Sequence, residues 1–204
     1  RFDHFTFLKE SEKRYDLSVR LWKKASGSQI ALFPNLNAKD EVWRDLFQDV
    51  RFRRALSIAI HRAEINQVIY YGLAQESQNT VLRKSPLYKD AYRKAWAAFD
   101  PAHANKLLDE VGLTKRNDDG LRLLPDGRPA VITVETAGES TEQTDVLELV
   151  RDGWRKVGVK LLSKPSQREV LRQRIYSGDT IMSIWSGVSN GIPTALMSPS
   201  EFSP

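Results

Sequence analysis

Hydrophobic positions along the chain follow two periods, and the switches between them mark out helices and strands. Within residues 49–72, Phe52, Ala55, Leu56 and Ala59 recur at helical spacing and define one apolar stripe. A second helix over about residues 62–71 carries Ile65, Val68 and Ile69 on one face and stops at Gly72. Upstream, residues 40–47 predict a short helix bearing Val42, Trp43, Leu46 and Phe47. Asp100 and Pro101 announce another: an Asp cap, Pro in the first turn, apolar Ala104, Leu107, Leu108 and Val111, and a stop at Gly112. A longer amphipathic helix begins at Thr144 or Asp145, aligns Val146, Leu149, Val150, Gly153, Trp154 and Val157, and ends at Gly158. Ser166 then caps a helix through Val170, Leu171 and Ile175 that ends at Gly178.

Between these lie strands. Residues 130–136, AVITVET, are mostly β-branched and partly alternating, and residues 159–162 and 180–185 read the same way. Strand, helix, strand, helix, strand over 130–185 is the βαβαβ grammar of an open α/β sheet. Crossovers in such units are right-handed and ligands gather beyond the carboxyl ends of the strands, so the loop after Trp185 is a candidate binding edge. Nearer the start, residues 19–22 and 29–32 flank a turn-like Ala-Ser-Gly-Ser and predict a pair of strands, broken at Pro34. Turns at 118–120 and 126–127 bracket residues 121–124 and suggest a hairpin strand. That acid-rich loop lacks EF-hand spacing and its terminal Glu, so it is read as turns and not as a calcium site. Residues 73–90 are irregular and polar, suiting either a functional excursion or a plain surface loop.

Composition narrows the chemistry. The 204 residues are enough for a real core, in one large domain or two small ones. The formal charge is +5, but 26 acids are interspersed with 31 Lys and Arg, which predicts a solvated mixed-charge surface and no nucleic-acid partner. The absence of cysteine excludes disulfides, thiolate metal sites and a cysteine nucleophile. No apolar run is long enough to cross a bilayer, and the opening RFDHFTFLKE is not a signal peptide, so the chain is expected to be a fragment with any targeting signal upstream. His4, His61 and His103 lack metal-ligand spacing, and there is no P-loop, dinucleotide fingerprint or nucleophile elbow. Neither catalytic residues, a metal nor a cofactor is expected, which favours a binding protein. Arg51, Arg53 and Arg54 crowd the first turns of a helix, where cations oppose its dipole, so they are expected to have specific partners such as Asp45 or Asp49.

The spacing Asp-x-Arg-x-Arg-x-Ala-Leu from Asp49, followed by Ala59-Ile60-x-Arg62, Ile65 and Tyr70-x-Gly72, resembles the signature segment of family 5 extracellular solute-binding proteins, the receptors of ABC importers. The Asp100-Pro101 start, Lys106-Leu107-Leu108 and Gly112-Leu113 are similar to the family's punctuation as well. The resemblance implies an α/β fold with an open mixed sheet and flanking helices. Residues 1–204 would be a single lobe of a two-lobed periplasmic-binding-protein-like fold. It implies an extracytoplasmic, monomeric receptor that captures a small solute, peptide or sugar-like, and delivers it to a membrane permease. It places the ligand near Trp185, Ser186, Gly187, Ser189 and Asn190, where an aromatic face is followed by small residues that admit close backbone approach. It also places Asn35 and Asn37 on the path towards the hinge and cleft, although both residues equally suit turns that bond their own backbone.

Two departures stand out. His61 replaces the Asp or Asn that usually caps the second helix, and an imidazole is expected to cap less well. Val188 replaces the Asp of Trp-x-Gly-Asp that pairs with a ligand amine, unless Asp179 supplies that charge; the loss turns the expectation towards oligosaccharide or opine-like solutes. Two other classes remain: a catalytic α/β domain such as a transferase, and an interaction domain whose basic face binds an anion.

Overall fold

The computed structural model describes residues 4–22 and 26–188. Its centre is a four-stranded sheet in the order β1-β4-β2-β3, with β1 Ala31–Pro34, β2 Val131–Thr136, β3 Lys160–Pro165 and β4 Met182–Trp185. β2 runs parallel to β3 and β4, while β1 pairs antiparallel with β4, Ala31 opposite Trp185 and Pro34 opposite Met182. The sheet is therefore mixed, as the resemblance implied.

Eight helices surround it among the described residues: α1 Phe5–Ser11, α2 Glu41–Gln48, α3 Val50–Ile58, α4 Arg62–Tyr70, α5 Asp90–Lys94, α6 Pro101–Glu110, α7 Thr141–Lys156 and α8 Arg168–Tyr176. Strand alternation sorts the side chains. Ile132 and Val134 of β2, Leu161 of β3, and Met182 and Ile184 of β4 share one face with Leu32 and join a core with Phe47, Phe52, Leu56, Leu108, Leu147 and Trp154. Glu135, Ser183 and Trp185 alternate onto the other face, where α8 lies; Arg174 of α8 grips the buried Glu135 through two bonds of 2.7 Å.

The arginine-rich segment is framework. Asp49 caps α3, accepting from the Arg51 amide at 2.8 Å, and also binds the Arg51 guanidinium. Arg53 donates to the carbonyls of Phe47 and Gln48, and Arg54 stacks on Trp96 at 4.5 Å. Each of these cations has a partner, but only Arg51 bonds one of the expected carboxylates, Asp49, while Arg53 and Arg54 use carbonyls and an aromatic face. His61 caps α4 after all: its Nδ1 accepts from the Glu64 amide at 3.0 Å and its ring meets Phe99 edge-on.

Several sequence expectations give way. Residues 19–22 are not a strand: Leu21 and Trp22 are exposed, and the pairing edge available to β1 is β4, not its own neighbour. The segment 121–124 makes isolated bridges, Arg116 with Arg122 and Leu123 with Pro129, too few pairs for a strand. α7 starts at Thr141, capped by the Ser140 hydroxyl, because its first turn is polar and the apolar period begins only at Val146. Ser166 does not cap α8. Its amide extends the β2–β3 ladder to the Thr136 carbonyl, and Gln167 occupies the cap position without a side-chain bond. Val68 stands 54% exposed, since α4 touches the core through Ile65.

Candidate functional site

β4 carries the first candidate. Its neighbour β2 is parallel, so the carboxyl ends of both strands share one edge, and Trp185 stands there, 39% exposed. Its ring is not a core aromatic; the Arg168 guanidinium, itself bound to Glu139, lies 5.2 Å from its centroid. Ser186 and Gly187 follow. The Gly187 amide donates to the Ser28 carbonyl at 3.0 Å, and an added Cβ would collide with Ser28 and Asn79. The close approach foreseen at this glycine is thus made by the chain's own backbone. Ser189 and Asn190 lie outside the described residues.

Asn35 and Asn37 lie elsewhere. Because β1 is antiparallel to β4, Asn35 sits beside the amino end of β4, where its amide donates to Ile181 and its side chain to the Thr180 carbonyl. Its Oδ1 accepts from the Asn37 amide at 3.0 Å, a turn that bonds its own backbone. The sheet therefore separates these asparagines from Trp185 by the length of a strand. Asp179 is at that same far end, held by Lys39 at 2.8 Å and by Ser177, with its carboxyl below the usual range through the Lys39 bond first. It cannot replace the acid missing at Val188.

A cavity of about 570 Å³ opens on the opposite face of the sheet from the Trp185 ring. Its floor comes from Leu32, Leu56, Val150 and Met182, and its outer wall is the irregular stretch 74–83. That wall is fastened at two points. Gln78 donates to the Ser57 hydroxyl at 2.6 Å and the Trp96 carbonyl at 2.9 Å, and Asn79 Oδ1 accepts from the Val188 amide at 2.9 Å. Arg62 lies beneath, bonded to the Ser57 and Ala97 carbonyls and the Ser57 hydroxyl; burial pulls its pKa down to about 10. Tyr70 also lines the cavity, donating to Glu142 at 2.7 Å, with burial and then that bond raising its pKa.

The sequence did not reveal this cavity. Its walls come from segments more than a hundred residues apart; the one local signal was the polar, irregular character of 73–90. Among the described residues no group of His, Cys, Asp and Glu could hold a metal ion, and no helix is long and apolar enough to cross a membrane.

Comparison with known proteins follows the same lines. The model of a family described as bacterial extracellular solute-binding proteins, family 5, middle, matches residues 4–202. A probable ABC transporter-binding protein of Deinococcus radiodurans is 31% identical over 57% of this chain and 19% of its own length. Di/tripeptide-binding protein 1 of Pseudomonas aeruginosa is 25% identical over 87% of this chain and 36% of its own. Among solved structures, an oligopeptide-binding protein, OppA, superposes with a TM-score of 0.80 at 37% identity, covering 93% of this chain and 29% of that one. The chain thus spans little more than a third, at most, of the relatives named here.

Proposed function

We propose that this chain, which belongs to the bacterial extracellular solute-binding proteins of family 5, is one lobe of a receptor that captures an extracytoplasmic solute and delivers it to an ABC permease. The observation that carries this reading is the family match across residues 4–202. The exposed Trp185 at the carboxyl edge of two parallel strands supports it, because open α/β sheets bind ligands beyond that edge. Ligand would bind between this lobe and the remainder of the protein, and closure would shift the population towards the form the permease reads. No catalytic step is assigned to any residue.

Oligopeptides are the solutes named for several relatives, and they are the first candidates here. Val188, with Asp179 at the wrong end of β4, favours solutes without a free amine at this position. An oligosaccharide or opine-like compound is therefore the second candidate, stacking on Trp185 with Ser186 beside it in the chain. Asn35 and Asn37 would act as turn residues beside the path to the other lobe.

Native mass spectrometry of the complete protein purified from its host, followed by calorimetric titration of the co-purified solute, tests this reading. A bound peptide or sugar is expected, with affinity at least roughly a hundredfold weaker for residues 1–204 alone, since one lobe supplies half a cleft. Tight binding by the isolated chain would refute the one-lobe assignment, and failure of the complete protein to bind any peptide or sugar would refute the receptor.

A further inference from the structure

The cavity beneath residues 74–83 is lined by more cationic than anionic side chains. Four arginines line it, Arg53, Arg62, Arg83 and Arg93, against one acidic residue, Glu76. Arg93 is engaged by Asp90 at 3.3 Å. Among the described residues, Arg53 and Arg62 are hydrogen-bonded to carbonyl and hydroxyl oxygens, with Asp49 acting on Arg53 and Glu76 on Arg62 through space and without a bond, and no ion pair is made by Arg83. Neutral acceptors orient a guanidinium but do not cancel its charge. The rest of the lining is mixed: the outer wall contributes polar groups such as Gln78 and Asn79, while Leu56, Ile65, Val146 and Val150 supply an apolar floor on which a hydrocarbon body would be removed from water. A volume of about 570 Å³ is in the range of a small-molecule pocket.

We infer that this cavity is a binding subsite for a carboxylate attached to an apolar body, with Arg62 and Arg83 supplying the positive field and the face of α3, α4 and α7 supplying the apolar contact. The subsite is distinct from the Trp185 edge, because the sheet lies between them. It rests on the receptor reading only in assigning the anion to the transported solute. The wall 74–83 is already held over the cavity by the bonds of Gln78 and Asn79 and would cover the ligand. Because Asn79 also holds the Val188 amide, occupancy of the cavity would be felt at the loop after Trp185.

The test uses octanoate and octanamide, two probes of nearly equal shape that differ in charge, titrated into the complete protein and followed by ligand-observed NMR. Octanoate is expected to bind at least about tenfold more tightly than octanamide, the preference of a charged over a neutral acceptor. Arg83→Glu, a change at an exposed rim position, is expected to reduce that ratio towards one while Tm stays within a few degrees. Equal binding of the two probes by the unaltered protein overturns the inference without any variant, as does an unchanged ratio in Arg83→Glu. Peptide or sugar binding without an octanoate preference removes this subsite and leaves the receptor. An octanoate preference in a protein that takes no peptide or sugar does the reverse.

Discussion

Arg122 Nη1 donates to Asp109 Oδ1 at 2.6 Å from a side chain that is only 2% exposed. The same guanidinium donates to the carbonyls of Val157 at 2.9 Å, of Asn105 at 3.2 Å and of Leu113. It thereby satisfies the Val157 carbonyl at the C-cap of α7, which has no intrahelical partner, and the Leu113 carbonyl in the turn after α6. Arg122→Ala would leave several buried acceptors unpaired and a cavity besides. The expected loss is about 3 kcal/mol, read as a lowered urea midpoint. Arg122→Lys is expected to recover less than half, since an ammonium cannot span the same fork of acceptors.

Helix α7 passes close to the end of α3 at Gly153. A Cβ on Gly153 would collide with the Ala59 carbonyl, and the neighbouring Trp154 indole donates to the Leu56 carbonyl at 3.0 Å. Glycine to alanine inside a helix ordinarily stabilises by up to about 1 kcal/mol. Here the sign reverses: Gly153→Ala is expected to destabilise by about 1–3 kcal/mol through overpacking. Thermal unfolding monitored by circular dichroism checks the direction, and a raised Tm would contradict the contact.

Acid sensitivity has a definite location at Asp40. This residue caps α2, accepting from the Trp43 amide at 3.2 Å, and holds Arg128 through bonds of 2.8 and 3.1 Å. The Arg128 bond is the main cause that holds its carboxyl below the ordinary value, ahead of the opposing cost of burial. A carboxylate depressed in the folded state contributes fully above its unfolded pKa, about 3.9, and that contribution disappears as pH falls through the folded value. Asp40→Asn keeps a capping oxygen and removes the charge. It is expected to cost about 1 kcal/mol or less at pH 7, a gap that closes below roughly pH 4. Urea titrations of both proteins at pH 7 and pH 3 measure it.

Trp185 separates stability from binding. Its ring is partly exposed and rests against Arg168, so Trp185→Ala is expected to lower stability by only about 1 kcal/mol. If the ring is the ligand platform, the complete protein loses solute affinity by about tenfold or more, as aromatic anchors in binding sites do. Calorimetry with the co-purified solute decides; an unchanged dissociation constant moves the platform elsewhere.

By itself the sequence determined the local grammar. Helical spacing in 49–72 placed Phe52, Ala55, Leu56 and Ala59 in the core, the Asp100-Pro101 punctuation started α6 where it begins, and the strand–helix alternation over 130–185 predicted the parallel pairs of the sheet. These features are legible because periodicity and capping act within a few residues. Only the tertiary structure decided what required distant partners. It gave β1 to β4 and not to residues 19–22, buried Arg122 in a segment that read as a hairpin strand, put Asn35 and Trp185 at opposite ends of one strand pair, and folded residues 74–83 over a cavity rimmed with arginines. Pairing direction, the burial of a charge and the enclosure of a cavity depend on which groups long-range contacts bring together, and no short window of sequence contains both sides of such a contact.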